Sequence, residues 1–158
     1  MILLSISAMI LLSSHLSVEN KEMDCMLTES QKNKELILQA FNGWENGTFN
    51  FFDLLDDEVI WTVAGRSPVS GTYIGKQDFV DRAVTPIHEK LNTKITPSLI
   101  SVTAIKDQVW ITWTGRAATK KGNMYENHYA WLMTIRGGKI VQATAFLDTY
   151  ELTKLMKK

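Results

Sequence analysis

One cysteine, three prolines and three histidines in 158 residues remove several chemistries at the outset. Cys25 by itself allows no internal disulfide framework and no cysteine-based zinc site, and its polar surroundings mark it as an incidental thiol. The histidines are scattered, without a metal-ligand spacing such as H-E-x-x-H, so no metal or other cofactor is expected. Neither sign of charge is in excess: seventeen basic and seventeen acidic residues cancel. With no basic block or stripe, the chain lacks an electrostatic footprint for nucleic acid or an anionic membrane. No apolar run reaches the ~20 residues that span a bilayer as a helix. Gly71-x-x-x-Gly75 has neither phosphate-loop nor Rossmann spacing, and no nucleophile elbow, Cys/His pair or repeat is visible.

What is present is an ordinary soluble composition, 45% hydrophobic and 22% charged, enough for one domain with a sizeable core. Residues 1–26 are set apart from it. Met1–Leu12 is almost wholly apolar and of the length of a signal-peptide core, but no Lys or Arg precedes it and no A-x-A-like site follows. Two readings stand: a signal-like segment, which would make the protein secreted, or an upstream extension of a cytoplasmic chain that starts near Met23 or Met26. Residues 27–158 are the expected domain.

Thr28-Glu-Ser-Gln31 has capping-box spacing and predicts a helix start. Leu36, Ile37, Ala40, Phe41 and Trp44 then recur at helical spacing, and Asn46-Gly47 ends the element. Phe49–Leu55 reads as a short second helix and Glu58–Ala64 as a strand. A turn-rich loop follows, with an extended piece at Thr72–Ile74 and a third helix over Lys76–Val84. Pro86 is expected to open a turn containing His88. From Thr93 alternation takes over: a long strand bulged near Pro97, a turn at Lys106-Asp107, a strand over Gln108–Thr119, a turn at Lys121–Asn123, and two strands joined at Gly137-Gly138. Helices first and a four-strand meander after define an α+β domain, its helices on one face of a curved antiparallel or mixed sheet. Such a cone encloses a pocket for a small ligand.

The set Phe41-Asn-Gly-Trp-Glu-Asn-Gly47, Val59-Ile-Trp61, Gly71-Thr-Tyr-Ile-Gly75, Tyr129-Ala-Trp131, Gly138-Lys-Ile140 and Phe146-Leu-Asp148-Thr149 resembles the SnoaL-like, polyketide cyclase-like branch of the nuclear transport factor 2-like superfamily. The resemblance covers about four fifths of the chain. It implies a conical α+β barrel, usually a homodimer formed through the sheet, whose pocket cyclises, isomerises or hydrolyses a substrate, or performs no chemistry. In the polyketide cyclases an aspartate ten residues after the glycine of the GKI-type turn looks like the acid/base group, and Asp148 has that spacing from Gly138. The ketosteroid isomerase base falls at Thr62 and the donor acid near Trp131, so that mechanism is not supported. Of the Asp-Arg-Asp relay of limonene-epoxide-hydrolase-like members, Arg116 and Asp148 could supply a part.

Hairpin geometry sharpens the candidate site. A two-residue turn at Gly137-Gly138 sets Asn127 opposite Asp148, Tyr129 opposite Phe146 and Trp131 opposite Thr144. Turn residues Lys121-Gly122 set Arg116 opposite Asn127, which would give a row Arg116–Asn127–Asp148. A three-residue turn at Arg136–Gly138 would instead turn Asp148 to the other face. The face carrying Trp110, Thr112, Thr114, Arg116, Tyr129, Trp131 and Met133 is preferred as pocket wall. The opposite one, with Val109, Ile111, Trp113, Ala130, Leu132, Ala143, Ala145 and Leu147, reads as plain core or dimer surface.

Two functions follow. One is a cofactor-independent isomerase, cyclase or hydrolase acting on a small apolar molecule, with Asp148 as general acid/base, Asn127 and Arg116 orienting it, and Trp61, Tyr73, Tyr129 and Trp131 as ligand-binding walls. The other is a non-catalytic binding or dimerisation module in which Asp148 caps a helix over Thr149–Met156.

Overall fold

The computed structural model describes residues 4–157, with side chains from residue 21 onward except 22 and 27. The start of the apolar run at residues 1–3, and its side chains, lie outside what is described. Helix α1 runs Leu4–Glu45, so the expected start at Thr28 is corrected. No Gly or Pro precedes Gly43, and nothing in that stretch breaks a helix. The Thr28 hydroxyl accordingly donates to the carbonyl one turn back, Asp24 O, at 2.8 Å, instead of capping. The C-terminal end falls as the sequence predicts: Gly47, at φ 70°, bonds its N–H to Trp44 O at 3.1 Å. No helix among the described residues is long and apolar enough to cross a membrane.

The expected second helix is a single 3₁₀ turn, Phe51–Leu54, capped by the Asn50 side chain. Strand β1 (Leu55–Val63) begins three residues earlier than predicted, where Leu55 pairs with Ile140. Strand β2 (Gly71–Ile74) leads into α2 (Lys76–Phe79), a π-turn (Val80–Val84) and α3 (Thr85–His88). Pro86 therefore does not open a turn. A proline in a regular helix has no N–H for the preceding turn, and its ring strikes the carbonyl four residues back. The π-turn, in which Thr85 N–H reaches Val80 O, lets the helix continue through it.

Strands β3 (Thr96–Ile105), β4 (Gln108–Ala118), β5 (Met124–Arg136) and β6 (Lys139–Leu147) form the meander, and α4 (Thr149–Met156) closes the chain. The sheet order is β2-β1-β6-β5-β4-β3, antiparallel except for the parallel pair β1–β6. Helix α1 is tied to the β3–β4 turn by Asn33 Nδ2 to Lys106 O, 2.9 Å, and Lys106 N to Ser30 Oγ, 2.8 Å. The core lies between the helices and the inner face of the sheet, with Ile37, Phe41 and Phe51 packed against Trp61, Ile111, Trp113 and Met133.

Two local irregularities overturn the predicted registers. Gly137 and Gly138, both at positive φ, make the two-residue turn as expected, pairing Arg136 with Lys139. Val141 then bulges out of β6, because Ile135 pairs with Ile140 but Thr134 with Gln142. From there every partner is displaced by one, so Tyr129 faces Leu147 and Trp131 faces Ala145. In the preceding hairpin the turn is one residue longer than Lys121-Gly122, with Thr119 N bonded to Asn123 O, and Arg116 pairs with Glu126. Each predicted face was thus a mixture. The inner face carries Val109, Ile111 and Trp113 from one and Tyr129, Trp131 and Met133 from the other, whereas Trp110, Thr112, Thr114, Arg116, Ala130 and Leu132 lie outside.

Candidate functional site

Between α1, the α2–α3 segment and the inner sheet face lies a cavity of about 80 Å³. Its walls are almost wholly apolar. Trp44 and Phe52 close one side, Phe79, Ala83, Val84, Ile87 and His88 roof it, Trp61, Trp113, Tyr129, Trp131, Ala145 and Leu147 form the floor, and Leu152 of α4 seals an end. The roof exists because the π-turn carries the helix past Pro86 and brings Ile87 and His88 over the sheet. A surface cleft beside it shares Trp44, Phe52, His88 and Ile95, so these four residues lie between the two.

The floor is an aromatic lattice. Trp113 stacks on Tyr129 with centroids 3.9 Å apart and meets Trp131 edge-on at 4.8 Å, while Trp131 meets Trp61 edge-on at 5.1 Å. Gly115 makes the Trp113–Tyr129 stack possible. A Cβ there would come within 2.9 Å of Trp113 Cζ3 and 2.8 Å of Ile95 Cγ2. The Nε1 groups of Trp61, Trp113 and Trp131 are buried and have no hydrogen-bond partner.

Beyond Tyr129 a polar chain leads to the end of the sheet. The Tyr129 and Tyr125 hydroxyls lie 3.1 Å apart, and Asn127 Nδ2 donates to the Tyr125 oxygen at 2.9 Å. The rest of the Asn127 amide is spent on backbone: Nδ2 donates to Asp148 O and Oδ1 accepts from Asp148 N, each at 3.0 Å. Burial holds both phenols above the ordinary tyrosine range, so they are neutral at physiological pH. His88 is shifted the other way, downward, by burial and then by Lys94, which favours the neutral imidazole.

The predicted site residues separate into three groups. Trp61, Tyr129 and Trp131 line the cavity. Tyr73 is buried beside it, its hydroxyl donating to Val69 O at 2.7 Å, and is not part of the wall. The row Arg116–Asn127–Asp148 does not form: Arg116 is on the outer face, bonded to Glu126 at 2.9 Å, and Asn127 sits opposite Gly115. Asn127 and Asp148 do meet, but through side chain and backbone. The Asp148 carboxylate is exposed and accepts the N–H groups of Tyr150 and Glu151 at 2.9 and 3.2 Å, the geometry of a helix N-cap. His128 lies outward, opposite Thr114.

Trp113, Trp44 and His88 also line the cavity, though none is among the predicted site residues. Trp44 was visible in the apolar stripe of the first helix. Trp113 needed the true length of the Thr119–Asn123 turn, and His88 needed a helix running through Pro86.

Helices over one face of a six-stranded curved sheet, with an apolar cavity between them, define an α+β fold of the nuclear transport factor 2-like type. The sequence pattern of the SnoaL-like domain matches residues 37–143, and the chain belongs to that family. Solved structures agree on the fold. A nuclear transport factor 2-like protein from Burkholderia thailandensis superposes with a TM-score of 0.65 at 18% identity, over 80% of this chain and 98% of its own. A candidate SnoaL-like polyketide cyclase from Jannaschia sp. CCS1 gives 0.62 at 16%, over 81% and 93%. TerC, co-crystallised with polyporic acid, gives 0.62 at 19%, over 80% and 98%. Among curated proteins nothing matches.

Proposed function

We propose that this chain holds a small, largely apolar molecule in the cavity between its helices and the inner sheet face. The observation that carries the reading is the cavity itself, apolar on nearly every side and walled by Trp61, Trp113, Tyr129 and Trp131. The co-crystallisation of TerC with an organic molecule supports reading the fold as a small-molecule container. Ala145 lies on the floor, and Ala145→Phe is expected to fill the space. Binding of one-ring apolar compounds, followed by calorimetry, should then fall at least ten-fold while the variant stays folded. Unchanged affinity in a folded variant would place the ligand elsewhere.

Binding without chemistry is the reading we favour, because the Asp148 carboxylate is occupied as a helix cap and does not line the cavity. A second reading, proton transfer without a cofactor, draws on His88: a neutral imidazole on the cavity wall is able to take a proton from a bound substrate.

We further propose that two copies associate through the outer sheet face. Ile60, Ile74, Trp110 and Phe146 are exposed there, Trp110 stacking on Phe146 at 6.2 Å. Large apolar side chains in one patch suit an isologous contact between identical copies. Analytical ultracentrifugation should give a dimer for the parent and a monomer for Trp110→Glu. A monomeric parent at tens of micromolar would refute the association.

A further inference from the structure

We propose that the cleft between the end of α3, the β4–β5 turn and α4 binds a small organic phosphate, a phosphate monoester on an apolar body. It is a second site, sharing no wall residue with the inner cavity, and it does not depend on what that cavity holds.

The sequence has no basic block, and the fold makes one. The segment after α3 returns to the sheet through the bridge between Leu91 and Thr119, and Lys120 N–H donates to Lys90 O at 3.0 Å. That bond sets the stems of Lys90 and Lys120 on neighbouring backbone, with Lys121 next along the turn, while Lys154 reaches the same cleft from α4. The cleft measures about 490 Å³, within the range of about 300–1,000 Å³ usual for small-molecule sites. Its walls carry four lysines against two glutamates, an excess of positive charge in a chain whose total is zero. Lys154 is spent on Glu151, both carboxylate oxygens standing 2.9 Å from its Nζ. Among the described residues no carboxylate pairs with Lys90, Lys120 or Lys121. The shared backbone bond holds Lys90 and Lys120 within a Debye length, about 10 Å at about 0.1 M salt, so their charges repel until an anion lies between them.

The class of anion follows from what the cleft has and lacks. No arginine lines it, so the planar fork that grips a carboxylate through two parallel bonds is missing. Lysine ammoniums act as point charges and favour the group that carries the most charge, a phosphate dianion. The floor is apolar: Tyr125, 4% exposed, packs with Leu91 and Ala117, and Leu155 lies against them. An inorganic ion would leave that floor in water, whereas an organic body covers it. Glu89 and Glu151 set acidic charge beside the lysines and oppose the continuous phosphate backbone of a nucleic acid. The complement is a single phosphate group with an apolar body.

The test titrates phenyl phosphate, benzoate, benzyl alcohol and inorganic phosphate into the full chain at about pH 8, where the ester is a dianion because its second pKa is about 6. Phenyl phosphate is expected to bind about ten-fold more tightly than each of the other three. In nitrogen-15 spectra it should shift amide resonances of residues 119–124 and 151–155. Raising the salt from about 0.05 M to about 0.5 M should weaken it several-fold. The double variant Lys90→Gln/Lys120→Gln is expected to lose about ten-fold in affinity while keeping the parent's circular dichroism. Lys121→Gln, at an exposed turn position, should show a smaller loss in the same direction, and Lys94→Gln, outside the cleft, none. No saturable binding at millimolar phenyl phosphate, equal affinity for benzyl alcohol or inorganic phosphate, an equal loss in Lys94→Gln, or shifts confined to the inner cavity would each overturn the inference. A thymidine oligonucleotide that bound more tightly than phenyl phosphate on the same resonances would overturn it in favour of a nucleic-acid surface.

Discussion

Replacing Asn127 by Leu is expected to lower the free energy of unfolding by about 2–4 kcal/mol, more than any change at Asp148. The side chain is 1% exposed and holds three groups at once: the Asp148 N–H, the Asp148 carbonyl and the Tyr125 hydroxyl. Leucine keeps the branched side-chain shape but leaves these three without their partner, at the point where β6 gives way to α4. By contrast, Asp148→Ala removes only an exposed cap, worth about 0.5–2 kcal/mol, and Asp148→Asn should be close to neutral because Asn caps equally well. Urea denaturation of the three variants gives the comparison directly. If Asp148→Asn proved as damaging as Asn127→Leu, the carboxylate would have a role beyond capping, and the acid/base reading of it would return.

A second large loss is expected at Trp113. Its indole is 2% exposed and touches Tyr129, Trp131, Trp44 and Phe41, with ring centroids 3.9, 4.8, 5.1 and 5.7 Å away. Truncation to Ala leaves a void beside an existing cavity, where neighbouring strands cannot collapse to fill it. The expected cost is about 3–5 kcal/mol, seen as a fall in the denaturation midpoint without a change of slope. Partial collapse would show as a cost below about 2 kcal/mol and would mean that the inner face is looser than its ring contacts indicate.

These two residues also mark how far the sequence could be read. Asn127 enters as a candidate because a two-residue turn at Gly137-Gly138 would set it opposite Asp148, and it is buried on the inner face. It does not stand opposite Asp148 in the ladder but bonds the Asp148 backbone. Side chain meets backbone, because the bulge at Val141 displaces β6 by one residue before it reaches Asp148. Trp113 was assigned to the plain-core face for a related reason: one extra turn residue between Thr119 and Asn123 rotates β4 relative to β5. A single residue inverts every side chain beyond it.

Element type, order and fold family were legible because each rests on local pattern: the stripe from Leu36 to Trp44, the alternation after Thr93, and the glycines at 47, 137 and 138. Helical extent was legible only in part. Continuity through Thr28 follows from the absence of a breaker, whereas passage through Pro86 depends on a π-turn that the residues themselves do not announce. The sequence by itself thus determined an α+β chain of helices and a meander, rich in aromatics and without a metal-ligand motif. Tertiary structure decided which aromatics share the cavity, that Arg116 faces outward, and that Asp148 spends its carboxylate on a helix end. The physical reason is that registers in a curved sheet are set by bulges and turn lengths, whose stability comes from packing against the other layer. Strand periodicity alone leaves both faces equivalent until that packing chooses between them.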